Sequence, residues 1–153
     1  MPRVSNIEIL HKREQPTLFI RIRARVEDLP ARIGENYGKL SAYLKAMGEC
    51  LAEVPYVAYY NMDMQDLDVE IGFPVNKTLP ENGEIKTGFI SAGKVAFCMY
   101  RGAYAEMEQA YHEMAIWLKD NNLRAVGTAY EHYYNGPGFP ESELLTMIVM
   151  PLA

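Results

Sequence analysis

Over residues 18–26 apolar and polar positions alternate, with Leu18, Ile20, Ile22, Ala24 and Val26 on one side and Phe19, Arg21, Arg23 and Arg25 on the other. Successive side chains of a strand point to opposite faces, so the alternation predicts a strand with one buried face. The three arginines read as a solvated face or as partners for carboxylates on a neighbouring strand. The period then changes. Ile33, Tyr37, Leu40, Leu44, Met47 and Leu51 recur at steps of three and four, which draws an apolar stripe along a helix. Glu27, Asp28 and Pro30 mark its start, because acids suit the positive end of the helix dipole and proline's fixed φ suits the first turn. Gly48 supplies the left-handed residue that commonly closes a helix. Gly34 and Gly38 inside it each cost about 1 kcal/mol relative to alanine and so predict close approach of the helix to a sheet. Two further strands follow, over residues 56–61 and 69–75, joined by a polar turn carrying Asp63, Asp66 and Asp68. Before all of these, Ile7 and Ile9 alternate in a charged stretch and predict an edge strand.

Residues 76–93 carry Pro80, Asn82-Gly83, Gly88 and Gly93, turn-formers that mark a connection. Ile85, Phe89 and Ile90 make it too apolar for a floppy tether. Beyond it the pattern begins again, at an offset of 74 residues (107 − 33). Met107, Tyr111, Met114 and Leu118 repeat the helical stripe, Trp117 repeats Tyr43, and Asn122 repeats the Gly48 cap with another residue tolerant of left-handed backbone. Tyr56, Tyr59, Tyr60 and Asn61 recur as Tyr130, Tyr133, Tyr134 and Asn135, and after a three-residue insertion Pro74 recurs as Pro151. The chain therefore reads as α+β, a tandem pair of strand-helix-strand-strand modules with pseudo-two-fold symmetry. Module one covers about 16–75 and module two about 94–153, within one domain over 1–153. An antiparallel sheet is expected, with helices on one face and a ligand groove between the modules. That groove face is expected to carry Glu131, Tyr133, Glu70, Tyr59 and Met147.

Composition narrows the function classes. The 153 residues include 11 tyrosines and 9 methionines, side chains that suit either an aromatic core or a pocket for varied greasy ligands. A formal net charge of −5 argues against nucleic acid as a partner, because phosphate binding rests on clustered Lys and Arg. No stretch approaches the ~20 apolar residues of a membrane span and no leader pattern opens the chain, so a cytoplasmic location and no membrane partner are expected. Cys50 and Cys98 are isolated and read as reduced. His11, His112 and His132 form no metal spacing, and no metal or cofactor is expected.

The asymmetric feature of the repeat is Glu131. It stands where module one has Val57, and on a strand it shares a face with Tyr133. Glu70 offers a second carboxylate and Tyr56, Tyr59, Tyr104, Trp117 and Met147 offer apolar walls. Trp117, one position off the stripe, either seals the helix edge or reaches the groove. Glu131 itself is either such a pocket acid or a structural glutamate paired with Arg21, Arg23 or Arg25.

Residues 63–75 with Tyr100-Arg101-Gly102-Ala103-Tyr104, Ala110-Tyr111, Trp117-Leu118, Tyr130-Glu131-His132-Tyr133 and Glu143-Leu144-Leu145-Thr146 resemble the GyrI-like family, from about Pro16 to the C-terminus. That family includes the effector-binding domains of BmrR-type and Rob-type bacterial transcription regulators. The resemblance implies a pocket between the halves, lined by aromatics, with a basal glutamate that meets cationic lipophilic compounds and falls on Glu131. The expected function is a stand-alone sensor or sequestering protein. Some stand-alone members are hydrolases that open strained cyclopropane rings, which would make Glu131 and Tyr133 catalytic, with Glu131 or Glu70 as general base. One branch inhibits DNA gyrase, so a protein partner is a third reading, suited by the acidic segment 63–70. No helix-turn-helix or coiled coil precedes Pro16, and direct DNA binding is not expected.

A carboxylate in an apolar pocket has its charged form disfavoured until a partner arrives. A ligand cation at ~4 Å supplies about 4 kcal/mol at an effective dielectric near 20, and each aromatic face adds roughly 0.5–2 kcal/mol.

Overall fold

The computed structural model describes residues 3–136 and 138–153; Met1, Pro2 and Pro137 lie outside it. The chain divides into two compact units, Arg13–Ala92 and Met1–Lys12 with Gly93–Ala153.

In the Arg13–Ala92 unit, β2 (Gln15–Ala24), α1 (Leu29–Ala46), β3 (Tyr56–Tyr59), β4 (Leu67–Pro74) and β5 (Lys86–Ile90) follow in chain order. The sheet order is β3-β4-β2-β5, all antiparallel. The register sets Leu18 opposite Phe73, Ile20 opposite Ile71 and Val57 opposite Ile71 on the other side. Paired residues share a face, and Phe73 meets the α1 residue Tyr37 at a ring separation of 5.3 Å. Leu18, Ile20, Val57, Ile71 and Phe73 are therefore the face covered by α1, with Leu29, Leu40 and Leu44 buried above them. The helix closes as its sequence predicts. Gly48 takes φ +70°, its N–H donates to the Lys45 carbonyl and the Glu49 N–H to that of Leu44.

Three expectations for this unit need correction. The stripe ends at Leu44, because the helix stops at Ala46 and leaves Met47 and Leu51 exposed. Gly34 and Gly38 make no close approach, since a Cβ at either would meet nothing within 4 Å. Each follows a stripe residue by one position, about 100° around the helix and away from the sheet. Lys86–Ile90, part of the expected connection, is a strand paired with β2; its Ile90 and the preceding Ile85 are buried while Phe89 is exposed.

In the other unit, β1 (Glu8–Lys12) precedes β6 (Gly93–Arg101), α2 (Glu108–Asp120), β7 (Ala129–Tyr133) and β8 (Leu145–Pro151). The sheet order is β1-β6-β8-β7, again antiparallel, with β1 the edge strand expected around Ile7 and Ile9. Its core joins Ile7, Ala96, Cys98, Tyr100 and Ile148 to Met107, Ala110, Met114 and Leu118 of the α2 segment.

Each unit contains a strand-helix-strand-strand run with one further strand, β5 in the first and β1 in the other, and residues at matching positions do equivalent work. Asn122 takes φ +56° at the end of α2, as Gly48 does after α1. Asn61 accepts from the Asp68 N–H and donates to the Asp66 carbonyl, and Asn135 accepts from Leu145 and donates to Glu143. Each asparagine closes its hairpin by satisfying backbone groups the turn would leave unpaired. No helix among the described residues is long and apolar enough to cross a membrane.

Candidate functional site

Strand parity decides which face Glu131 occupies. Glu131 lies opposite Ile148 and Tyr133 opposite Thr146, and Ile148 belongs to the core under α2. Glu131 and Tyr133 consequently face the helix of their own unit. The Tyr111 hydroxyl on α2 donates to Glu131 Oε2 at 2.5 Å and the Tyr133 hydroxyl donates to Oε1 at 2.8 Å. The carboxylate is 8% exposed, so each of its oxygens is held by a phenol within a nearly closed environment. Hydrogen bonds to an ionised acceptor are the stronger class. Tyr104, in the short turn of helix before α2, meets Tyr133 edge-on at 5.3 Å. Burial raises the Tyr104 phenol above its ordinary value, and the nearby Glu131 charge adds to that.

The sequence named three members of this cluster, Glu131, Tyr133 and Tyr104, and missed Tyr111. Tyr111 lies on the helical stripe and reads as core, yet a tyrosine at a core boundary needs a partner for its hydroxyl. Val57 lies opposite Ile71, on the face that meets α1, and Glu131 is the residue that replaces Val57 in the repeat. A carboxylate at that position is within reach of the helix.

A second tyrosine-clasped carboxylate occurs in the Arg13–Ala92 unit, reached by different residues. Glu70 is also 8% exposed. Tyr56 donates to its Oε2 at 2.5 Å and Tyr60 to its Oε1 at 2.8 Å. Tyr56 crosses over Gly72, where a Cβ would lie 2.3 Å from its Cζ and 2.4 Å from its hydroxyl oxygen. Glu70 and Gly72 alternate with Ile71 and Phe73, so this cluster lies on the face of β4 away from α1. The Arg21 guanidinium stacks 3.8 Å above the Tyr60 ring.

The expectation that one face carries Glu131, Tyr133, Glu70, Tyr59 and Met147 is therefore corrected. Within their own units, Glu131, Tyr133 and Tyr59 sit on the helix-facing side, Tyr59 because it pairs with Val69. Glu70 and Met147 sit on the other side, Met147 because it pairs with His132 rather than Glu131. Trp117 packs against the α2 core and so seals the helix edge. Arg21 and Arg23 of β2, and Arg25 just beyond it, pair with aspartates: Arg21 with Asp68, Arg23 with Asp66 and Arg25 with Asp28. Those bonds hold the Asp66 and Asp68 carboxyls below their ordinary value.

Among the described residues no group of three or more His, Cys, Asp or Glu is placed to hold a metal ion. A cavity of about 290 Å³ lies beside the C-terminal end of α1, lined by Ser41, Leu44, Lys45, Glu49, Cys50, Leu51 and Phe73. Its lining includes none of the candidate site residues named from the sequence.

Comparison with known proteins gives the fold its relatives. EcmrR, in the EcmrR–DNA complex of EcmrR-RPo, superposes with a TM-score of 0.85 at 20% identity over 97% of this chain, which spans 57% of that one. The isolated EcmrR C-terminal domain gives 0.82 at 20% identity, with 98% of both chains covered. A hydrolase from Listeria innocua gives 0.74 at 13% identity, covering all of this chain and 94% of that one. SAV2435 bound to tetraphenylphosphonium gives 0.62 at 10% identity, covering 97% and 94%. No curated protein matches by sequence. The model of the GyrI-like small molecule binding domain matches residues 5–153, nearly the whole chain. This chain belongs to the GyrI-like small molecule binding domain family.

Proposed function

We propose that this protein binds lipophilic cations, with Glu131 as the charge that selects them, and acts in the cytoplasm as a sensor or sequestering protein. The observation that carries the reading is the Glu131 carboxylate, 8% exposed and held by the Tyr111 and Tyr133 hydroxyls. Two phenols fix its orientation, so an arriving cation gains Coulomb energy against a carboxylate already held in position. The Tyr104 and Tyr133 rings supply faces for cation–π contact. A related fold that holds tetraphenylphosphonium supports this ligand class.

A second reading is hydrolysis, favoured by the fold shared with the Listeria innocua hydrolase. Glu131, or Glu70, would take a proton from water. The water oxygen would form a bond to carbon as a strained ring bond breaks, and the ring carbon released by that cleavage would receive a proton. Tyr133 or Tyr111 would steady the charge on the opening ring.

Native mass spectrometry with a panel of lipophilic cations and strained cyclopropane compounds separates the two readings. Retention of a cation at unchanged mass is the result expected for binding. Release of a product heavier by one water establishes the hydrolase. Retention of no member of the panel contradicts both.

A further inference from the structure

The geometry points to a second copy of this chain as the partner of the β1 edge, the two copies pairing antiparallel about Leu10. β1 is paired on one side by β6, in a register that sets Ile9 opposite Ala96 and Leu10 opposite Val95. Its other side presents backbone donors and acceptors to the surroundings, the usual template for strand addition. Pairing of two identical strands is constrained by symmetry. Hydrogen-bonded and non-hydrogen-bonded pairs alternate along an antiparallel ladder, so a two-fold axis requires some residue to face its own copy.

Sequence selects which one. With Leu10 opposite Leu10 of the second copy, Glu8 falls opposite Lys12 and Lys12 opposite Glu8, so both charges meet their complements. Shifting the centre to Ile9 sets Glu8 against Leu10, and shifting it to His11 sets Lys12 against Leu10. Only the Leu10-centred register among these matches charge to charge, and the same charges disfavour the others. The Lys12 ammonium has three donors and can accept a further carboxylate partner.

Exposed apolar residues agree with this placement. Leu10 and Ile9 are each 38% exposed, on opposite faces of β1. Ile9 shares its face with Ala96, which lies in the core under α2. On that side Arg3 donates to Glu113 of α2, so the flank of α2 carrying Glu113 borders the N-terminal segment. Ile116, one turn further along that flank, is 48% exposed. A two-fold axis normal to the sheet keeps each face on its own side, so it brings the two α2 flanks together over the joined strands and covers Ile9 and Ile116. A five-residue ladder with one helix flank buries less than the roughly 800 Å² per partner of a stable complex. The dimer is accordingly weak and concentration-dependent.

Sedimentation velocity of the intact chain over a concentration series tests this. The mean mass is expected to rise with concentration towards twice 17.4 kDa. Glu8→Lys alone and Lys12→Glu alone each set like charges against one another at two positions and should weaken dimerisation about tenfold or more. The double reversal Glu8→Lys with Lys12→Glu should restore it to within about threefold, because the complementarity is regained. Leu10→Lys should leave a monomer whose thermal unfolding matches that of the parent. A chain that stays monomeric at every concentration overturns the proposal. So does a dimer indifferent to Leu10→Lys, or single reversals that the double does not rescue.

Discussion

Tyr111 and Tyr37 occupy the same position in the two helices, and replacing each by phenylalanine measures what the Glu131 carboxylate adds. The Tyr111 hydroxyl donates to Glu131 Oε2 at 2.5 Å, whereas the Tyr37 hydroxyl donates to the Tyr56 backbone carbonyl at 2.9 Å. Phenylalanine keeps the ring and removes only the donor. A hydrogen bond to a charged group contributes about 1.5–3 kcal/mol and a neutral one about 0.5–1.5 kcal/mol. Tyr111→Phe should therefore destabilise the fold about twice as much as Tyr37→Phe. For a chain of this length 1 kcal/mol corresponds to a shift of roughly 2–4 °C in Tm, so the Tyr111 variant should melt roughly 3–12 °C below the parent. Urea unfolding monitored by circular dichroism gives the free energies directly. Combining Tyr111→Phe with Glu131→Gln completes a double-mutant cycle, in which the pair should be strongly non-additive. Equal losses for the two phenylalanine variants, or an additive cycle, would refute the view that the phenol serves the carboxylate.

Other substitutions test the packing. Gly72→Ala drives a Cβ to 2.3 Å from the Tyr56 Cζ, which must tear Tyr56 from Glu70 or displace β3; a loss of about 1–3 kcal/mol or more is expected in the same urea assay. Gly34→Ala and Gly38→Ala project into open space on α1, so each should stabilise the fold by up to about 1 kcal/mol. Burial pushes the Cys98 thiol up to about 11, while Cys50 is exposed. A disulfide-exchange reagent at neutral pH should titrate one thiol in the folded protein and the second only in denaturant.

The alternating and three-four patterns located both helices and most strands, because burial on one face imposes those periods on the sequence. β5 escaped because Gly88 and the turn-formers around it interrupt any alternation, and its pairing with β2 depends on a partner far along the chain. Glu131 was legible as the one acidic departure from a repeated apolar position. Its face was misread for want of register. Nothing in the sequence states that Val57 lies opposite Ile71, and that pairing, carried through the repeat, sets Glu131 on the helix side. Tyr111 was missed because a helical period reports where a ring starts and not where its hydroxyl ends. The phase of Gly34 and Gly38, one step past the stripe, was legible and already pointed away from the sheet. Tyr60 acts in the same way, through the reach of its hydroxyl to Glu70.

Calorimetric titration of tetraphenylphosphonium and of the neutral triphenylphosphine oxide into the parent and into Glu131→Gln tests the central claim most directly. At ~6 Å and an effective dielectric near 20, the carboxylate supplies about 2–3 kcal/mol to a cation, roughly 30- to 160-fold in affinity. The account predicts that Glu131→Gln weakens the phosphonium by that factor and leaves the oxide within about threefold of the parent. Equal weakening of both ligands, or unchanged binding of the phosphonium, would contradict it.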